Sequence, residues 1–362
     1  MRLLVASLDG PELVVLDAEG GAIIGRFTVP GPGRAYQLPN AQLAAVVHRD
    51  ADRVSFVHSG LTVVDHGDHA DLLEGSPYVL ATVNLGREPG DLFAAGNDIA
   101  VWLEGDGSVA WLDARLLGVS LDFVEVPGSG PGSVAGGGVL AVVDGHLVAG
   151  GAGEAAVRVH DRRANQVAGF GGCPEPQGGA VRGDVVAIGC SDGVLLVTSA
   201  GGGVFTSHKI ANPPGSPENA RVRTLAADDG GPILVGGFGQ GIALVDVVAR
   251  TLTAVPLPVE PADVRLADEG EVLLVLTLDG YLHALDPATG TVDASVRVTH
   301  AADEGQARPS LTSLGDAVFV ADPEQREIVW VDVDHMEIEA RWPIPFTPGS
   351  VAAMAIAGAV RH

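Results

Sequence analysis

Residues Ile242-Ala243-Leu244-Val245-Asp246, IALVD, form an apolar run closed by a carboxylate, and the chain returns to this pattern again and again. LVVLD ends at Asp17, VAWLD at Asp113, VRVHD at Asp161, LHALD at Asp286 and IVWVD at Asp332. LLVTS, ending at Ser199, is a degenerate copy, and one further copy falls between Asp17 and Asp113. From Asp113 onward the spacings are 48, 38, 47, 40 and 46 residues, and the 96 residues from Asp17 to Asp113 hold two copies. Eight units of about 45 residues fit this spacing better than seven.

Each unit has the same internal grammar. A strand such as ILVGGF precedes the Asp-terminated strand, and a Gly or Pro turn leads to another strand such as AIIGRFTVPG. Apolar alternation with period 2, bounded by Gly, Pro and Asp, is strand and hairpin chemistry, and helical periodicity is nearly absent. Four short strands per 40 to 50 residues describe the blade of a β-propeller of the WD40/YVTN-like repeat kind. The expectation is an all-β, eight-bladed propeller, with seven blades as the alternative, in a single domain over 1–362. The chain opens on a blade's second strand, LLVASL, and residues 351–357 are expected to supply the missing inner strand, closing the ring terminus to terminus.

Composition limits the function. With 46% hydrophobic and 19% charged side chains the chain can bury a large core, and no apolar run reaches the roughly 18 residues a membrane-spanning helix needs. The formal net charge of -25 repels phosphate backbones and anionic lipid, so neither nucleic acid nor a membrane is expected as partner; a monomer is expected. The start MRLLVASLDG does not read as a signal peptide, which leaves a cytoplasmic protein or a mature exported segment. Cys173 and Cys190 lie 17 positions apart, either bridged, as in an oxidising compartment, or as two buried thiols.

The densest set of donor atoms is DHGDHAD, residues 65–71, where His66, Asp68 and His69 combine imidazole and carboxylate donors in the manner of a zinc site rather than a calcium loop. The bland alternative is a solvated acidic turn. Blade 2, from about Arg34 to Gly86, carries this stretch as a surplus of about ten residues. With RVSFVH as its Asp-equivalent strand, ending at His58, LTVVD is expected to be the outermost strand, and the cluster a connection toward the next inner strand and the channel mouth. His48 and His58 are further candidate ligands, though ordinary strand roles suit them better. No Ser, His and acid set has a placement that suggests nucleophilic catalysis, and the Gly-rich stretches lack the Lys-Ser/Thr of a phosphate loop, so catalysis is not expected.

GGCPEPQGGAVRGDVVAIGCSDGVLLV, together with DHGDHADL and the closing FTPGSVAAMAIAG, resembles the AztD-type family of periplasmic zinc metallochaperones. The resemblance implies a propeller carrying zinc for the solute-binding protein of a zinc ABC transporter, a periplasmic or extracellular location, a Cys173–Cys190 disulfide, and a metal role for His66, Asp68 and His69. The family pattern also implies histidines at the starts of several inner strands. Here Gln177, Gly90-Asp91-Leu92 and Pro131-Gly132-Ser133 occupy such starts, so a family relative that has lost the central site and serves as a protein-interaction scaffold is the second expectation.

Overall fold

The computed structural model describes the chain except residues 40–41, 66–69, 121, 128–137, 152, 218, 228–230, 303–304 and 356–362. Strand pairing gives eight antiparallel sheets arranged as blades, plus one separate two-stranded hairpin. Seven blades have four strands. In blade 6 three are regular, Ile233–Phe238, Gly241–Asp246 and Thr251–Val255, and the innermost position is held by two isolated bridges, Val222 to Phe238 and Ala226 to Val235.

The core is divided in the way a ring requires. Among the described residues eight clusters of buried side chains occur, and each joins one blade to the next. Along Arg2–Ser7, Leu3 and Val5 pack with Phe319 of blade 8, while Leu4 and Ala6 pack with Ala44 and Val46 of blade 2. Both faces of the strand are therefore dry, and for this reason the central strands read as continuous apolar runs. The ring closes as the sequence predicts. Pro348–Met354 pairs antiparallel with Arg2–Ser7 and completes blade 1 from its inner side.

The repeated acid is a turn cap. Asp246 Oδ1 accepts the backbone N–H groups of Val248 and Ala249, and Asp286 Oδ1 those of Ala288 and Thr289, at 2.7 to 2.9 Å. Asp113, Asp161 and Asp332 cap the corresponding turns of blades 3, 4 and 8, each accepting a backbone N–H two or three residues ahead. Such side chains fix the reversal between the third and outer strands. The degenerate copies keep the function with other atoms: His58 Nδ1 accepts Gly60 N–H at 2.9 Å and Ser199 Oγ accepts Gly201 N–H at 3.1 Å.

One expectation fails. LTVVD, Leu61–Asp65, is not the outermost strand of blade 2; that place belongs to Tyr78–Val83, which pairs with Arg53–His58. Leu61–Asp65 pairs with Ala70–Glu74 in a hairpin inserted between the third and outer strands. The insertion leaves from the face on which third strands end, opposite the face on which inner strands begin, so the hairpin does not lead to the channel mouth anticipated from the sequence.

Candidate functional site

His66, Asp68 and His69 lie outside the described residues. What surrounds them is described. The flanking hairpin runs from the Leu61–Glu74 pair to the Asp65–Ala70 pair, four strand rises, or about 13 Å. Its base is held by Arg2, which is 6% exposed: its guanidinium donates to Ser59 O, and to Gly75 O at 2.7 Å, and it faces the Glu74 carboxylate at 3.7 Å. Gly60 turns there with φ of 80°, and a Cβ at this position would meet Gly75 O at 2.5 Å and Arg2 Nη1 at 2.6 Å.

The two neighbouring histidines are engaged elsewhere. His48 is buried, with Nδ1 at 2.8 Å from Gly31 O and Nε2 at 2.9 Å from Ser55 Oγ, and burial holds it below the ordinary imidazole value. His58 stacks on Tyr78 with ring centroids 4.9 Å apart and uses Nδ1 in its turn; burial, then the Arg2 charge, lower its basicity. Neither supplies a ligand to the far end of the hairpin. His283, between Thr277 and Ser295 in blade 7, is likewise a structural bridge between strands.

Across the ring, the starts of the inner strands gather a polar set that single-strand reading missed. Arg34 of blade 2 reaches Asp91 of blade 3 at 3.5 Å, with its guanidinium 5.2 Å from the centroid of the Tyr36 ring. Tyr36, Asp91 and Asp263 together raise the Arg34 pKa, and burial pushes the Tyr36 phenol up to about 12. In blade 7, Asp263 accepts the Leu311 N–H at 3.1 Å and faces Arg265 at 3.5 Å. Thr312 donates to Gln37 Oε1 at 3.2 Å, linking blade 8 to blade 2. Two carboxylates are thus matched by two guanidinium groups. Gln177 begins the inner strand of blade 5, and 131–133 lie outside the described residues. Arg34, Asp91 and the Asp263–Arg265 pair come from three different inner strands, so the signal would have been visible only by aligning the starts of the inner strands.

Among the described residues no group of three or more His, Cys, Asp or Glu side chains is placed to hold a metal ion. Cys173 and Cys190 form a disulfide with Cα atoms 5.1 Å apart, both sulfurs buried, stapling the entry into blade 5 to its second strand. Among the described residues no helix is long and apolar enough to cross a membrane.

No family model matches the chain. It is 26% identical over 380 residues to the zinc chaperone AztD of Citrobacter koseri, covering 99% of this chain and 87% of that protein. The structure of apo AztD from Citrobacter koseri superposes with a TM-score of 0.89 at 25% identity, with 99% of each chain covered. Dihydro-heme d1 dehydrogenase NirN aligns at 0.69 with 12% identity over 98% of this chain and 75% of its own, a likeness of fold alone. From end to end, in sequence and in blade order, the chain is similar to the zinc chaperone AztD.

Proposed function

We propose that this propeller is a zinc-carrying chaperone that works outside the cytoplasm and passes its metal to the solute-binding protein of a zinc ABC transporter. The observation that carries the reading is the end-to-end likeness to the zinc chaperone AztD at a TM-score of 0.89. The buried disulfide fits an oxidising compartment, and the net charge of -25 favours cations over anions as cargo. His66, Asp68 and His69 are the ligands in this reading. Two imidazoles and a carboxylate suit zinc, and three protein ligands leave a fourth tetrahedral position through which an acceptor's ligand enters before the donor set lets go. Binding and transfer need no nucleophile or base, and the role is not enzymatic.

A second reading, a protein-interaction scaffold without cargo, is favoured by one observation: the carboxylates at the inner-strand starts, Asp91 and Asp263, are committed to Arg34 and Arg265. Elemental analysis and chelator competition on untagged protein separate the two, beside a His66→Ala/His69→Ala variant. Stoichiometric zinc lost in the variant supports the carrier with this ligand set. Zinc held equally by both moves the site elsewhere in the chain, and no zinc in either leaves the scaffold.

A further inference from the structure

Histidines of a central metal site are implied at the starts of the inner strands, yet among the described residues no inner strand begins on a histidine. The donors that stand there are already engaged. Asp263 Oδ1 accepts the Val264 N–H at 2.9 Å and faces Arg265 at 3.5 Å, while Oδ2 accepts the Leu311 N–H at 3.1 Å. Gln37 Oε1 accepts the Thr312 hydroxyl at 3.2 Å, and burial keeps the Tyr36 phenol protonated by pushing it up to about 12. Among the carboxylates this leaves Asp91, which faces Arg34 at 3.5 Å. One carboxylate beside a guanidinium, with no imidazole, does not fit zinc.

We propose that Arg34 is a tethered cation that takes the place of a metal ion at the centre of this ring and excludes divalent cations from the channel mouth. Its guanidinium has the contacts of a bound cation: it meets the Asp91 carboxylate of blade 3 and lies 5.2 Å from the centroid of the Tyr36 ring. Asp263 of blade 7 adds its field from across the ring. The Arg34 side chain is 63% exposed, and an ion pair so open to water contributes little to stability. What Arg34 sets is therefore the charge of the mouth. A divalent ion drawn to Asp91 meets a fixed like charge at contact distance, and the two repel where either alone is attracted. The set shares no residue with His66, Asp68 and His69, so the inference stands whether or not those residues hold zinc.

The test uses the isotope-labelled full chain carrying His66→Ala/His69→Ala, so that zinc at those residues does not enter the reading. Zn2+ is titrated at constant ionic strength while the NMR signals of the Ala35 and Leu92 amides, the neighbours of Arg34 and Asp91, are followed. Adding Arg34→Ala is expected to make these signals shift saturably. With Arg34 present they are expected to stay in place over the concentrations that saturate Arg34→Ala, a separation of about tenfold or more in affinity. Arg34→Lys, which keeps a cation, is expected to behave as the chain with Arg34, and Asp91→Asn added to Arg34→Ala to abolish the response. The remaining amide signals report that each variant is folded. Saturation at equal affinity with Arg34 present overturns the proposal, and so does an Arg34→Ala chain whose Ala35 and Leu92 signals do not respond to Zn2+.

Discussion

An aspartate at the end of six of the eight third strands invites a chemical role, but its geometry assigns a mechanical one. Asp246 and Asp286 each accept two backbone N–H groups in the following turn. Each hydrogen bond contributes about 1 kcal/mol net. Asp246→Ala is accordingly expected to lower unfolding free energy by roughly 1–2 kcal/mol, with Asp246→Asn retaining most of it, as read from urea denaturation midpoints. Histidine adds a dependence on pH near neutrality. His48, His58, His160 and His283 are all held below the ordinary value, in each case chiefly by burial. The unfolded chain then binds protons that the folded chain refuses. Their contribution to stability is complete above the unfolded value near 6.5 and is lost as pH falls through the lower folded values. Urea midpoints are expected to drop between pH 7 and 5, and the drop to be smaller in His48→Gln, whose amide keeps a donor and an acceptor but does not titrate. An equal drop in that variant removes His48 from the explanation.

At the scale of the element, the inserted hairpin of blade 2 shows how far a sequence can be read. The repeat was legible because both faces of each central strand are dry and each third strand ends in a cap, so periodicity and punctuation agree. The ring closure was legible for the same reason, since LLVASL lacked an inner partner and GSVAAM supplied one. The hairpin was misplaced because Leu61–Asp65 alternates as an outer strand does, and spacing alone does not say whether surplus residues leave before or after that strand. Only pairing decides it, through contacts such as Val54 to Val83. The polar set of Arg34, Asp91 and the Asp263–Arg265 pair escaped notice because it is assembled from three strands distant in the chain. The hairpin's dependence on its base is testable at Gly60, where φ is 80° and a Cβ would press on Gly75 O. Gly60→Ala is expected to cost about 1–3 kcal/mol through the left-handed backbone and the displaced Arg2 contact. Limited proteolysis should then cut within 61–74 well before the rest of the chain; a variant as resistant as the parent would show that Gly60 is replaceable.

For the molecule as a whole, the decisive element is the strand added last. Pro348–Met354 contributes Val351 and Ala353 to the core between blades 8 and 1, and Ala352 and Met354 to the core between blades 1 and 2. Its Ser350 Oγ accepts the Ala35 N–H at 2.8 Å, tying it to blade 2, and its Gly349 O lies within reach of Ser310 Oγ of blade 8 at 3.5 Å. One strand therefore seals two of the eight interfaces and bonds to three blades. Removing it uncovers both cores and leaves Arg2–Ser7 as an unpaired apolar edge, the arrangement that invites pairing with another chain. A chain ending at residue 347 is expected to lose the single cooperative unfolding transition and to associate on gel filtration, and a synthetic peptide of residues 345–358 to restore both. Ser350→Val tests the junction more gently. The β-branched side chain suits a strand, but it leaves the buried Ala35 N–H without an acceptor, at a cost of about 1–3 kcal/mol, while Ser350→Thr keeps the hydroxyl and most of the stability. If Val and Thr behave alike, closure rests on apolar burial alone and the seryl bond is incidental. If the truncated chain melts cooperatively as a monomer, seven blades suffice, and the terminus-to-terminus seal is a refinement of the ring rather than its condition.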